Sequence, residues 1–250
     1  MLKATQLSKE YWLKEQGKKR KFSAVKSTSL ELPTGARCAL VGESGSGKTT
    51  LVRMLAGIIT PTAGIVELDG QNIFLTKNRR AVYRKLQIVF QDAKSALNPQ
   101  MTVYDLIAEP LYNLQHISHA EAKGRVYELM DRMELPLEYC RRKPQELSGG
   151  QQKRVSIARA VGVEPEIIIF DESFSGLDVI VRMQILELLD DLQKELKCTY
   201  LIITHDMDVA LYIADTIFVM KEGTIVEQVQ YRGNKDCFHH AYSRQLLEYA

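Results

Sequence analysis

Residues 42–50 read GESGSGKTT, and the placing of Gly42, Gly47, Lys48 and Thr49 fits the phosphate-binding pattern G-x-x-x-x-G-K-[ST]. Each letter of that pattern has a physical reason. The small residues of the interior, Ser44, Gly45 and Ser46 after Glu43, let the chain curl until successive backbone N–H groups converge on a β-phosphate. A helix that starts near Lys48 adds the positive end of its dipole. Lys48 supplies a point charge to the β- and γ-phosphates, and the hydroxyl of Thr49, which Thr50 follows, is placed to ligate Mg²⁺. The chemistry needs a strand before the loop and a helix after it, and the apolar run 36–41 and the segment 48–57 are expected to be those elements.

Such a loop needs a second strand to deliver acid to the metal. The run Ile167, Ile168, Ile169, Phe170 ends directly in Asp171 and Glu172, and ligands of parallel α/β sheets sit beyond strand C-termini. Asp171 is expected to hold Mg²⁺ through water, and Glu172 to act as general base toward the attacking water. Adjacent strand residues face opposite ways, which would suit the two carboxylates to separate tasks.

Outward from these two motifs the chain reads as an α/β protein. Short β-like runs at 3–7, 24–30 and 36–41, with Pro33, Thr34 and Gly35 as a turn, predict an antiparallel, β-rich opening. Strands are expected at 65–68, 86–90, 167–170, 199–203 and 216–220. Residues 102–133 read as two helices inserted between core strands, carrying Ile107, Leu111 and Leu114 on one and Val126, Leu129, Met130 and Met133 on the other. A helix begins near Gln151, and a long one over 179–196 takes its apolar stripe from Ile185, Leu189, Leu192 and Leu196. The pattern divides the chain into a β-rich part plus phosphate-loop core over 1–90 and 152–228, a helical insertion over 91–151, and a short tail over 229–250. The dense basic run at 14–21 reads as a solvated loop.

Composition narrows the partners. Thirty-three basic against 31 acidic residues give a net charge of +2, too small a field to hold a nucleic-acid backbone. Cys38, Cys140, Cys198 and Cys237 are far apart, with no C-x-x-C pair, and read as reduced thiols of a cytosolic protein. No apolar run approaches the about 20 residues of a membrane-spanning helix, and no signal pattern opens the chain. Anything that crosses a membrane is therefore expected to be another polypeptide.

Residues 147–151 read LSGGQ and are followed by QKRVSIARA. With these motifs nearly the whole chain resembles an ABC (ATP-binding cassette) ATPase, with ATP and Mg²⁺ as the implied ligands. The resemblance implies a phosphate-loop core with an antiparallel β subdomain and a helical subdomain inserted between core strands. It implies that Tyr11 stacks on adenine and that Gln91, after strand 86–90, senses Mg²⁺ and the attacking water. His205, in ITHD, would contact the γ-phosphate and organise Glu172. Ser148, Gly149, Gly150 and Gln151 would cap ATP bound to the phosphate loop of a second, head-to-tail cassette. Asp178, in SGLD, would speak across that dimer, although Ser173-Phe174 stands where the family usually has Pro-Thr.

The segment VFQDAKSALNPQMTV at 89–103 is similar to the peptide and nickel importer branch of the family, as is the tail His240-Ala241-Tyr242-Ser243 before Leu246-Leu247. The branch implies integral-membrane permease subunits docking near 91–101, a second cassette in a homodimer or heterodimer, and indirectly an extracytoplasmic binding protein. It places the chain peripherally on the cytoplasmic side of the cell membrane. Cargo stays open between nickel, a metal chelate and short peptides; an end at Ala250 without a cysteine cluster leans toward nickel or a metal chelate. His239 and His240 read as structural, since no third ligand is spaced nearby. Two rivals are weighed. A non-transport ABC ATPase acting on nucleic acid or ribosomes would use the same site but usually carries a coiled-coil insertion or second cassette. A phosphate-loop kinase or GTPase has no use for LSGGQ.

Overall fold

The computed structural model describes residues 1–15 and 18–248. In chain order the elements are β1 (Leu2–Glu15), β2 (Lys18–Leu32), β3 (Arg37–Val41), α1 (Lys48–Leu55), β4 (Ala63–Leu68), β5 (Gln71–Asn72), α2 (Arg79–Lys85), β6 (Leu86–Val89), α3 (Ala93–Ala96) and α4 (Val103–Pro110). There follow α5 (His119–Arg132), α6 (Gly149–Val161), β7 (Ile167–Asp171), α7 (Val179–Leu196), β8 (Thr199–Thr204), α8 (Met207–Ile213), β9 (Thr216–Lys221), β10 (Thr224–Gln230) and α9 (Ala241–Glu248). The chain forms two compact units: Met1–Arg79 together with Thr199–Ala250, and Arg80–Cys198.

In the first unit β1 pairs antiparallel with β2 and with β4, and β5 closes the order β2-β1-β4-β5. Burial explains why the sequence alternation looks broken here. Leu2 and Ala4 point inward, then Gln6 takes a left-handed φ of 49° and the register slips, so that Leu7 is the next buried residue. In β2, Leu32, Leu30 and Thr28 are buried until Ser27, at φ 43°, shifts the phase to Val25. Such bulges insert one residue and turn the following side chains to the other face.

Two expectations need correcting in this unit. The strand over 36–41 is no part of the antiparallel opening: β3 runs parallel to β8 and to β9, with Ala39 opposite Ile202 and Ile217. Its RCALV run is buried from Cys38 onward, as a parallel strand covered on both faces must be. The basic run, read as a loop, instead continues the β1–β2 pair, with Trp12 opposite Lys21 and Lys14 opposite Lys19. Gln16 and Gly17 of that run, and the last two residues of the tail, lie outside the described residues.

The core of this unit gathers Ala39, Val41, Met207, Ala210, Ile217, Val219, Val229, Phe238 and Tyr242. Burying each large apolar side chain contributes about 1.5–3 kcal/mol. Burial pushes the Cys38 thiol up to about 12, with the nearby Asp215 charge acting the same way; all four cysteines are free.

In the second unit β6 and β7 are parallel, Leu86 opposite Ile167 and Val89 opposite Phe170. The helices between them have strong start signals. Thr102 and Asp105 form a reciprocal capping box at α4, and Ser118 and Glu121 another at α5. α4 ends at Pro110, which has no N–H for the helical ladder, and the chain passes into a π turn (Leu111–Gln115) closed by His116 at φ 58°. The stripe of α7 buries Ile185, Leu186, Leu189 and Leu192. Among the described residues no helix is long and apolar enough to cross a membrane.

Candidate functional site

The first unit holds the glycine-rich loop between β3 and α1. Gly42, Ser46 and Lys48 are buried, whereas Glu43, Ser44 and Gly45 are exposed. Lys48 is only 3% exposed, and its Nζ donates to the carbonyls of Gly42 at 2.7 Å and Glu43 at 2.9 Å. The ammonium is thus held inside the curl of the loop.

The start of α1 is left open to an anion. Its N-cap is Gly47, no side chain caps it, and no acidic residue stands in its first turn. The hydroxyl oxygen of Ser46 is buried and has no hydrogen-bond partner, a cost tolerated where a ligand supplies the partner. Beyond Gly45, at φ +82°, there is open space. The cradle fits a phosphate chain. Thr49 and Thr50, half-buried, stand in the same first turn.

Two further expected residues lie in this unit. His205 is exposed directly after β8, beside Asp206, which caps α8 by accepting from the N–H groups of Asp208 and Val209. Tyr11 is 38% exposed, pairs across the hairpin with Phe22 and has the Lys9 ammonium 5.5 Å from its ring centre. It is a surface aromatic, not a core one.

The second unit carries the other expected groups. Asp171 is the buried last residue of β7. Glu172 does not continue the strand: its φ of +42° is left-handed. The expectation that strand alternation aims the two carboxylates apart is therefore corrected, since a turn and not the pleat directs Glu172. A non-glycine residue held there stores strain of about 1–3 kcal/mol, a recurrent mark of functional positions.

The unusual Ser173-Phe174 pair has a structural account. The buried Ser173 hydroxyl donates to the Val89 carbonyl at 2.7 Å, fastening the chain after Glu172 to the end of β6, and Phe174 packs on Phe170 with ring centres 5.9 Å apart. Gln91, exposed, comes two residues beyond that fastening.

The LSGGQ stretch opens α6 as expected. Ser148 is the N-cap, its hydroxyl accepting from the Gln151 N–H while the Gln151 side chain accepts from the Ser148 N–H. Gly150 has a second reason to be glycine, since a Cβ there would come within 2.8 Å of Val181 on α7. Asp178 caps α7 by accepting from the Val181 N–H at 3.0 Å.

The residues just after LSGGQ escaped the sequence reading. Gln152 donates to the carbonyls of Pro144 and Leu147, Lys153 to those of Phe90 (2.8 Å) and Gln91 (3.1 Å), and Arg154 to that of Met133. Three consecutive polar residues around a helix cannot all face water when the helix is packed, and that was the available signal. Lys153 thereby ties the signature helix to the backbone of Gln91.

Burial pulls the Lys153 ammonium down to about 8, while Asp92 and Asp171 pull it up. Between about 8 and its ordinary 10.5 the unfolded chain keeps a proton that the folded chain has shed, so stability rises with pH across that window. Thermal melts from pH 7 to 9, below the range where the raised Cys38 thiol acts in the opposite sense, are expected to show this rise in the wild type and a flatter profile in Lys153→Met. Identical profiles would remove Lys153 as the source.

The glycine-rich loop running from a buried parallel strand into a helix, with an acidic strand terminus elsewhere in the same α/β chain, defines a phosphate-loop nucleotide-binding protein. Comparison with known proteins carries this further. The family model described as ABC transporter matches residues 25–175. The oligopeptide transport ATP-binding protein OppF of Lactococcus lactis is 40% identical over 226 residues, covering 90% of this chain and 71% of that protein. OppF of Bacillus subtilis is 41% identical over 229 residues, covering 90% and 75%. A solved dimeric ATP-binding cassette in a post-hydrolysis state, bound to ADP and Pi, superposes with a TM-score of 0.84 at 30% identity over 94% of this chain and all of that one. The chain belongs to the ABC transporter family, as one of its ATP-hydrolysing subunits, and has the ABC cassette fold.

Proposed function

We propose that this subunit powers a multi-subunit importer of short peptides. What supports the cargo is one observation: the relatives at 40–41% identity over 90% of the chain are oligopeptide transport ATP-binding proteins. Those names also favour transport over action on nucleic acid or ribosomes, and they set peptides ahead of nickel.

In this reading the amides of Gly42 to Thr50 and the Lys48 ammonium hold the ATP phosphates, and Tyr11 stacks on adenine. Thr49, Asp171 and Gln91 offer the hard oxygen donors that suit Mg²⁺. Among the described residues no three His, Cys, Asp or Glu side chains cluster as a cage, so the ion would arrive with the nucleotide. When bound, Mg²⁺ neutralises charge on the β- and γ-phosphate oxygens. Glu172 accepts the proton of the attacking water, which Gln91 senses, while His205 contacts the γ-phosphate and organises Glu172. Ser148, Gly149, Gly150, Gln151 and Asp178 serve ATP held by a second cassette, identical or not. The segment 91–151 forms the helical subdomain, residues 91–101 meet the permease, and the subunit sits on the cytoplasmic face of the membrane.

Reconstitution into proteoliposomes with two permeases, the companion cassette and the binding protein is the test. Peptide-loaded binding protein is expected to raise ATP turnover several-fold and to drive peptide into the lumen. Stimulation by a nickel chelate and not by peptide would overturn the cargo; turnover without any transport would overturn the importer.

A further inference from the structure

The tail motif His240-Ala241-Tyr242-Ser243 served above only as a mark of resemblance, and the proposed function gives it no task. In the structure Tyr242 is 3% exposed, in the first turn of α9, within the cluster formed by Val41, Met207, Val219 and Phe238. Leu246 and Leu247 of the same helix pack against that cluster, and the Lys221 ammonium lies 4.5 Å from the Tyr242 ring centre. The ring is therefore fixed in place by packing on several sides.

Its hydroxyl reaches the phosphate loop. Tyr242 Oη accepts the backbone N–H of Glu43 at 3.0 Å. The carbonyl of the same residue accepts from Lys48 Nζ at 2.9 Å and from the Ser46 N–H at 3.2 Å. Glu43 is thus pinned on one side by the tail and on the other by the loop's own lysine, although its side chain is exposed.

We propose that the C-terminal tail is a brace for the phosphate loop and that Tyr242 is the positioning residue through which it acts. The inference rests on the reading that this loop binds ATP. A loop held in its binding shape beforehand loses less freedom when the ligand arrives, and a competent fraction below one lowers apparent affinity in proportion. Without the hydroxyl the Glu43 N–H turns to water, and the carbonyl that Lys48 grips is no longer fixed from behind.

Tyr242→Phe keeps the ring and its packing and removes only the hydroxyl, with its bonds to Glu43. It is expected to weaken ATP binding about 5- to 10-fold, the scale of one hydrogen bond, and to raise KM for ATP while kcat stays within about twofold. Hydrogen exchange of the peptide spanning 42–50, measured without nucleotide, is expected to quicken in the same variant. Leu129→Ala, which trims the buried packing of α5 and leaves the tail intact, is expected to lower the melting temperature and leave ATP affinity within about twofold. Wild-type affinity and unchanged exchange in Tyr242→Phe would overturn the brace. Lys48→Ala separates the two readings: if it binds ATP like the wild type, the loop is not the ATP site, while the nucleotide-free exchange result still decides whether the tail holds it.

Discussion

Replacing Glu172 with glutamine is expected to cut ATP turnover by about 10²- to 10⁴-fold, the range a positioned general base contributes, and to leave KM for ATP within a few-fold. The amide matches the carboxylate in size, so the left-handed turn at φ +42° can hold it as it holds the acid. The fastenings just beyond it, Ser173 on Val89 and Phe174 on Phe170, do not involve the Glu172 side chain. What glutamine cannot do is take a proton from water. A loss of kcat without a loss of affinity is the signature of an interaction made in the transition state alone. Steady-state kinetics of the purified variant, with nucleotide binding measured separately, decide the matter; normal turnover would remove Glu172 from the chemistry.

That turn also shows where the sequence stops being legible. The apolar run into Asp171 is readable because a parallel strand covered on both faces must be apolar throughout, and β7 ends one residue past the expected limit. The long helix 179–196 is met in full because its stripe recurs over five turns and Asp178 caps it. Nothing in the letters Asp-Glu announces that the second residue leaves the pleat with a positive φ, since that is settled by Ser173 and Phe174 being buried against β6 and Phe170.

The opening hairpin failed for a different reason. Bulges at Gln6 and Ser27 shift the alternation partway along each strand, so a period-two search sees two short runs instead of strands of 14 and 15 residues. Its far end, exposed at Trp12 and Phe22, carries charges where a half-buried strand would alternate. Of the site, the phosphate loop and LSGGQ were readable because backbone geometry restricts their residues. Lys153 and Tyr242 act on distant carbonyl and amide groups, and no local pattern encodes such a partner.

Two glycines of the phosphate loop should separate folding from binding. Gly47 sits at φ +104°, and a Cβ added there would fall 2.3 Å from the Ala24 carbonyl oxygen and 3.0 Å from the Met220 methyl. The left-handed backbone alone costs about 1–2 kcal/mol for a residue with a Cβ, and a backbone oxygen inside van der Waals contact cannot step aside as a flexible side chain would. Gly47→Ala is therefore expected to destabilise the protein by about 3 kcal/mol or more, and to abolish nucleotide binding as the loop is forced off β2. Gly45, at φ +82°, has nothing within 4 Å of the same added atom. Gly45→Ala should cost the fold no more than the backbone term of about 1–2 kcal/mol, yet weaken ATP binding about tenfold or more, because the open space is where the phosphates would lie. Denaturant unfolding and nucleotide titration of the two variants give the four values. If Gly45→Ala binds ATP normally, the phosphates do not enter past Gly45. If Gly47→Ala melts like the wild type, the close approach of the loop to Ala24 is not a constraint on this fold.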